Sequence, residues 1–154
     1  MPGRIKARLK ELEIELPEVR KPVANFVACV QTGNLVFVSG QVTFWNGDYM
    51  YKGKLGKEIS IEDGQKAARV CALNVIAQAR AFLGDLDRVK RIVMVQGFVN
   101  AIPEFTDHPK VVNGASDVFV DVFGEAGKHA RFAVGMGSLP FNVAVEVAAV
   151  LEVS

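Results

Sequence analysis

Apolar residues recur along this chain with two periods, and the switches between them mark out its elements. Between residues 4 and 16, Ile5, Leu9, Leu12 and Leu16 fall three or four apart, with Arg4, Lys6, Arg8 and Lys10 ahead of Glu11, Glu13 and Glu15. That order of charge opposes the helix dipole, so the spacing predicts a short helix that owes its order to docking. Residues 25–30 and 35–41 are β-rich runs around Thr32-Gly33-Asn34, the pattern of a hairpin. Residues 46–57 collect Asn46, Gly47, Asp48 and Gly53, with Trp45, Tyr49 and Tyr51 interleaved, which predicts a surface excursion packed by its own aromatics.

Ser60 followed by Asp63 resembles a capping box. Ile61, Ala68, Cys71, Ala72, Val75, Ala79 and Phe82 then keep helical spacing up to a stop at Gly84. Residues 89–99 form a continuous β-branched run. A second long helix is predicted from about Asp107, with Pro109 in its first turn and Val112, Ala115, Phe119 and Val122 on one face, ending at Gly124. Strands at about 130–136 and 143–153, joined by Ser138-Leu139-Pro140-Phe141-Asn142, complete the order β-β-(β)-α-β-α-β-β.

That order predicts an α+β fold, a mixed sheet with two helices on one face. It forms a single domain over 1–154, with an N-terminal helix and lead-in at 1–24 and a core at 25–153. In the last strand Val143, Val145, Val147, Ala149, Leu151 and Val153 make one apolar face, while Ala144, Ala148 and Val150 make much of the other apolar too. A strand that wants burial on both sides, in a sheet covered on one, predicts an oligomer.

Composition narrows the classes. Half of the 154 residues are apolar and the net charge is +1, so no strong electrostatic footprint points to nucleic acid. No apolar stretch approaches the roughly 18 residues of a membrane span, and the first residues lack the apolar core of a signal peptide, an expectation of cytoplasmic location. Cys29 and Cys71 form no C-x-x-C pair and read as buried hydrophobes in a reduced compartment. His108 and His129 have no metal-ligand spacing, and no cofactor motif is present.

Against this background Arg131 stands out, because it interrupts the apolar run Ala130-Arg131-Phe132-Ala133-Val134-Gly135-Met136. A guanidinium in such a strand needs an anion, since burying an unpaired charge costs several kcal/mol. Its fork of donors matches a carboxylate in two parallel hydrogen bonds. The partner is either a carboxylate of the protein, with Glu146, Glu152 or one on a neighbouring subunit as candidates, or a bound ligand.

Several stretches together resemble the RidA/YjgF family over residues 25–153. Gly33-Asn34-Leu35-Val36-Phe37-Val38-Ser39-Gly40-Gln41 is similar to its early strand, and Asn113 to an Asn in its second helix. Arg131 opens the penultimate strand as a family Arg does. Leu139-Pro140 followed by Val145-Glu146-Val147 is similar to its Leu-Pro turn and Glu-bearing last strand. The resemblance implies a chorismate-mutase-like fold and a homotrimer with clefts between subunits. It also implies hydrolysis of reactive enamines and imines to 2-oxo acids and ammonia. In that chemistry Arg131 holds the substrate carboxylate, helped by the Gly40 backbone N–H and Asn113, and Glu146 positions or activates water.

Two departures mark a divergent branch: Phe26 stands where deaminating members commonly carry Tyr, and Ala133 where they often carry Cys. Residues 42–60 also look longer than the compact family pattern, with Trp45 and Tyr49 able to line a cleft. The residues therefore leave open a deaminase, a non-catalytic sensor of small carboxylate metabolites and, least favoured at this net charge, the endoribonuclease activity often attached to the family.

If the last two strands pair about Leu139-Pro140-Phe141, Arg131 and Glu146 face opposite ways. A bulge at Gly135 or Gly137 would bring them together.

Overall fold

The computed structural model describes residues 3–19 and 21–154. Its body is a five-stranded sheet in the order β1-β2-β7-β5-β6: β1 (Cys29–Thr32), β2 (Leu35–Gln41), β7 (Val145–Val153), β5 (Val89–Asn100) and β6 (Ala130–Met136). The pairings are antiparallel except for β5 with β6, whose parallel run needs the crossover that α3 (His108–Phe123) supplies.

The β1–β2 hairpin closes on Gly33 and Asn34, and Gly33 takes φ +59°, the sign that a type II′ loop asks of its first residue. The strand begins at Cys29 rather than at 25, and bends occupy Val23 to Phe26. The excursion after β2 is a hairpin of its own, β3 (Phe44–Trp45) with β4 (Asp48–Tyr49), separate from the main sheet. Its loop residues Asn46 and Gly47 both have positive φ, the conformation that type I′ turns demand and that Asn-Gly provides.

α2 (Ile61–Leu83) starts where its cap predicts: Ser60 Oγ accepts from the Asp63 N–H at 3.1 Å, and Gly84 ends it at φ +82°. α3 carries Pro109 in its first turn and stops at Gly124. Both helices lie on one face of the sheet. Val36, Val38, Val95, Val99, Val145, Val147 and Leu151 meet Cys71, Ala72, Val75, Val112, Ala115 and Phe119 there in one buried core.

α1 (Arg4–Glu11) forms a third layer outside the helices and is shorter than the pattern to residue 16, because Glu13 turns left-handed at φ +57°. With no acidic residue in its own first turn, α1 borrows one: the Arg4 and Ile5 amides donate to the two Asp87 carboxylate oxygens at 2.9 and 2.8 Å. These bonds hold the Asp87 carboxyl below its usual range. Arg8 Nε donates to the Asp121 carbonyl of α3, so the helix is tied down at both ends.

The last two strands do not pair. β5 lies between them, and its register lines up Val95 with both Arg131 and Ala149, and Phe98 with both Val134 and Glu146. β6 runs without a register break from Ala130 to Met136, so no bulge forms at Gly135. The breaks fall in β5 and between Val38 and Gln41 of β2 instead. The face away from the helices is uncovered and apolar, with Phe37, Phe132 and Val134 each more than a third exposed beside Met94, Phe98 and Val150.

Gly114 of α3 lies hard against α2, where an added Cβ would run into the backbone carbonyl of Gln65. In an isolated helix Ala would gain about 1 kcal/mol over Gly, but backbone atoms cannot give way as a side chain can. Gly114→Ala is expected to destabilise the fold by about 1–3 kcal/mol, read from the denaturant midpoint. Gly137→Ala, with open space around it, stays within about 0.5 kcal/mol.

Candidate functional site

The structure sorts the sequence-predicted residues into two groups on opposite faces of the sheet. Arg131 and Ala133 point to the helix side of β6. There Arg131 Nη1 donates to Asn113 Oδ1 at 2.8 Å and to Ser116 Oγ at 3.1 Å, and Nη2 donates to the Pro109 carbonyl at 3.4 Å. All three acceptors are neutral, and among the described residues no carboxylate pairs with the guanidinium. The internal partners foreseen for it are otherwise placed: Glu152 accepts from Asn34 Nδ2, and Glu146 faces the other side of the sheet.

Ser116 and His129 were not singled out by sequence for this role. His129 Nδ1 lies 2.6 Å from the Gly127 carbonyl and therefore carries the hydrogen, which leaves Nε2 to accept from the Ser116 hydroxyl at 2.9 Å. Ser116 Oγ thus accepts from Arg131 while donating to His129, and the chain of bonds fixes the guanidinium from behind. The available signal was spacing, since Ser116 sits three residues after Asn113 and so on the same face of α3.

Glu146 lies across β5 from this group, two strands and three rows away, roughly 14 Å along the sheet by ordinary strand spacings. It lines a pocket of about 320 Å³ whose other walls include Phe26, Ala28, Gly40, Phe44, Tyr49 and Phe141. Gly40 stands in the bulge that takes an extra residue out of the β2 ladder. A Cβ there would collide with Glu146 Oε2, so only glycine lets the carboxylate lie against this strand. Burial pushes the Glu146 carboxyl above its ordinary value of 4.5.

Trp45 belongs to neither group. It lines a second groove together with Ile14, Leu16, Arg69 and Leu73, away from the pocket that holds Glu146. The β3–β4 hairpin alternates its side chains, and it is Phe44 and Tyr49 that face the pocket. Both cysteines are buried. Burial raises the Cys29 thiol to about 11, and raises Cys71 well above its usual value, with the Glu146 charge adding to it. Neither is a thiolate nucleophile near neutral pH. Among the described residues no cluster of His, Cys, Asp or Glu could hold a metal, and no helix is long and apolar enough to cross a membrane.

Comparison with known proteins bears on this arrangement. The family described as "YjgF/chorismate mutase-like, putative endoribonuclease" matches residues 6–153. Protein TCP17 of Trypanosoma cruzi is 48% identical over 153 residues, covering 99% of this chain and 96% of that protein. The crystal structure of Atu1372 from Agrobacterium tumefaciens, described as of unknown function, superposes with a TM-score of 0.92 at 43% identity, covering 99% of this chain and 94% of that one. A protein of the same endoribonuclease description from Shewanella oneidensis MR-1 gives 0.94 at 34% identity, covering 97% and 99%. With its chorismate-mutase-like sheet and helices and a match along nearly its whole length, the chain belongs to the RidA/YjgF family.

Proposed function

We propose that this chain hydrolyses reactive enamines and imines of 2-oxo acids, releasing the oxo acid and ammonia, in clefts that two copies complete. The observation that carries the reading is the state of Arg131: a positive charge oriented by three neutral acceptors and left without an anion. The Nη1 hydrogens are spent on Asn113 and Ser116, which leaves the edge formed by Nε and Nη2 to meet a substrate carboxylate in two parallel bonds.

Glu146 is the complementary half. A carboxylate whose basicity is raised by burial, at the wall of an apolar pocket, can take a proton from water as that water attacks the imine carbon. The new C–O bond forms as the C=N electron pair moves to nitrogen. After proton transfer to nitrogen, the C–N bond breaks and ammonia leaves. An imine is already electrophilic, so orientation and water placement provide most of what the step needs.

Arg131 and Glu146 cannot meet within one chain, because they occupy opposite faces of the sheet. The reading therefore requires a second copy, and the uncovered apolar face gives copies a reason to associate. A closed ring of three is the assembly we assign, with Arg131 of one copy facing Glu146 of the next. Ribonuclease chemistry has less to recommend it: His129 is engaged with Ser116 and the Gly127 carbonyl, and the net charge of +1 offers little attraction to RNA.

The test generates imines in situ with an amino-acid oxidase and follows 2-oxo acid through lactate dehydrogenase. Arg131→Ala is expected to lower kcat/KM about 10- to 100-fold, the worth of a charge-assisted pair, and Glu146→Gln at least about 100-fold. Co-refolding equal amounts of the two variants should restore activity in about one quarter of all clefts, since a cleft works only when its Arg131 comes from the Glu146→Gln copy and its Glu146 from the Arg131→Ala copy. No recovery would overturn the shared cleft. No acceleration of any imine, with carboxylate binding lost in Arg131→Ala, would instead identify a sensor.

The acid limb of kcat/KM should report Glu146. Burial raises its pKa in the single chain and the facing Arg131 of the next copy opposes that in the closed cleft, so the limb is identified by its loss: it should be present in the wild type and absent from the residual activity of Glu146→Gln. A limb that persists unchanged in Glu146→Gln would remove Glu146 from the base role.

A further inference from the structure

We propose that the Glu146 pocket selects carboxylates bearing a bulky apolar side chain, aromatic above all; in the deaminase reading, on which the reaction part of the proposal rests, these are the corresponding 2-imino acids. Three aromatic rings make one continuous wall: Phe44 meets Tyr49 edge-on at 5.2 Å and 65°, and Tyr49 stacks on Phe141 at 4.2 Å and 16°. The rings come from two segments far apart in sequence, the β3–β4 hairpin and the turn before β7, and Phe26 lines the same pocket.

The turn is built to place its ring. Phe141 and Asn142 are consecutive non-glycine residues at φ +57° and +59°, a conformation that L residues rarely adopt and that is retained where the surroundings over-determine it. What holds it is visible: the Asn142 carbonyl accepts from the Gly53 N–H at 2.8 Å, and its Oδ1 accepts from the fully buried Asn100 side chain at 3.3 Å. Phe141 itself is 49% exposed, so this backbone does not serve to bury the ring in the core. It serves to extend the wall over the pocket.

The side-chain amides around the cavity are already engaged. Asn74 Nδ2 donates to the Val42 and Phe44 carbonyls at 3.2 and 2.9 Å, which fixes the base of the hairpin against α2. Gln41 Nε2 donates to the Ser39 carbonyl, and Gln78 Nε2 to Gln41 Oε1. A guest therefore finds walls that are mostly apolar, with Glu146, Lys21 and Ser39 as polar groups among the described lining residues. The volume of about 320 Å³ is roughly twice that of a cavity of about 150 Å³ that accepts benzene. A methyl or hydroxymethyl side chain would leave most of the space to water, whereas a benzyl or isobutyl group fills it.

Two measurements on the intact protein separate this proposal from the reading beneath it. In the coupled assay, kcat/KM for the phenylalanine- and leucine-derived imines is expected to exceed that for the alanine-derived imine at least about tenfold, in the range one or two methylenes contribute. Phe141→Ala and Tyr49→Ala should each lower that ratio at least about fivefold. Independently of turnover, calorimetry should show 3-phenylpropanoate binding at least about tenfold tighter than propanoate, with the preference reduced in Phe141→Leu, a milder change that keeps an apolar side chain in the turn.

Equal or inverted preference among accelerated imines would overturn the proposal while leaving the deaminase intact. Selective binding of 3-phenylpropanoate with no imine accelerated would keep the pocket's preference and overturn the deaminase. Neither selectivity nor selective binding would overturn the proposal outright.

Discussion

The position of β5 is the constraint on which the rest depends. Hydrogen-bonded to β7 on one side and β6 on the other, it carries both neighbours on one register, and the period of two along a strand then decides which side chains share a face. Arg131 and Ala133 are sent to the helices. Glu146, Phe132 and Val134 are sent to the open side. No local adjustment reverses this, because β6 is paired without a break over its whole length. The separation of the two charges is thus a property of topology, and side-chain rotation cannot undo it.

Most of the elements were legible because their signals are local. Ser60 and Gly84 bracket α2, Pro109 and Gly124 bracket α3, and the Gly33-Asn34 and Asn46-Gly47 loops each ask for positive φ where the chain supplies it. The pairing of the last two strands was not legible, since adjacency in sequence favours a hairpin and only the parallel β5–β6 ladder shows that another strand intervenes. The facing of Arg131 away from Glu146 nonetheless follows from the strand period, and it survives the change of partner.

The site was legible in part for the same reason. Arg131, Asn113, Gly40 and Glu146 announce themselves as a charge in an apolar run, a polar residue on a helix face, a glycine ending a strand and a carboxylate in a buried one. Phe44 and Trp45 point opposite ways, as neighbours in a strand must, and sequence does not say which of them lines the Glu146 pocket. Ser116 and His129 are ordinary polar residues until α3 and β6 bring them behind Arg131. Phe141 gave no sign at all: nothing in Leu139-Pro140-Phe141-Asn142 foretells a left-handed pair held by an asparagine 42 residues away.

The uncovered face has a consequence for the life of the chain before any chemistry. Phe37, Phe132 and Val134 lie where water must order around them, at a cost of roughly 25 cal/mol for each Å² left wet. In the ring proposed above, abundance would become a determinant of foldedness: sparse molecules would bear that cost alone, while crowded ones would shed it on each other. A substitution on this face would then register as scarcity of folded protein long before it registered as a change in catalysis.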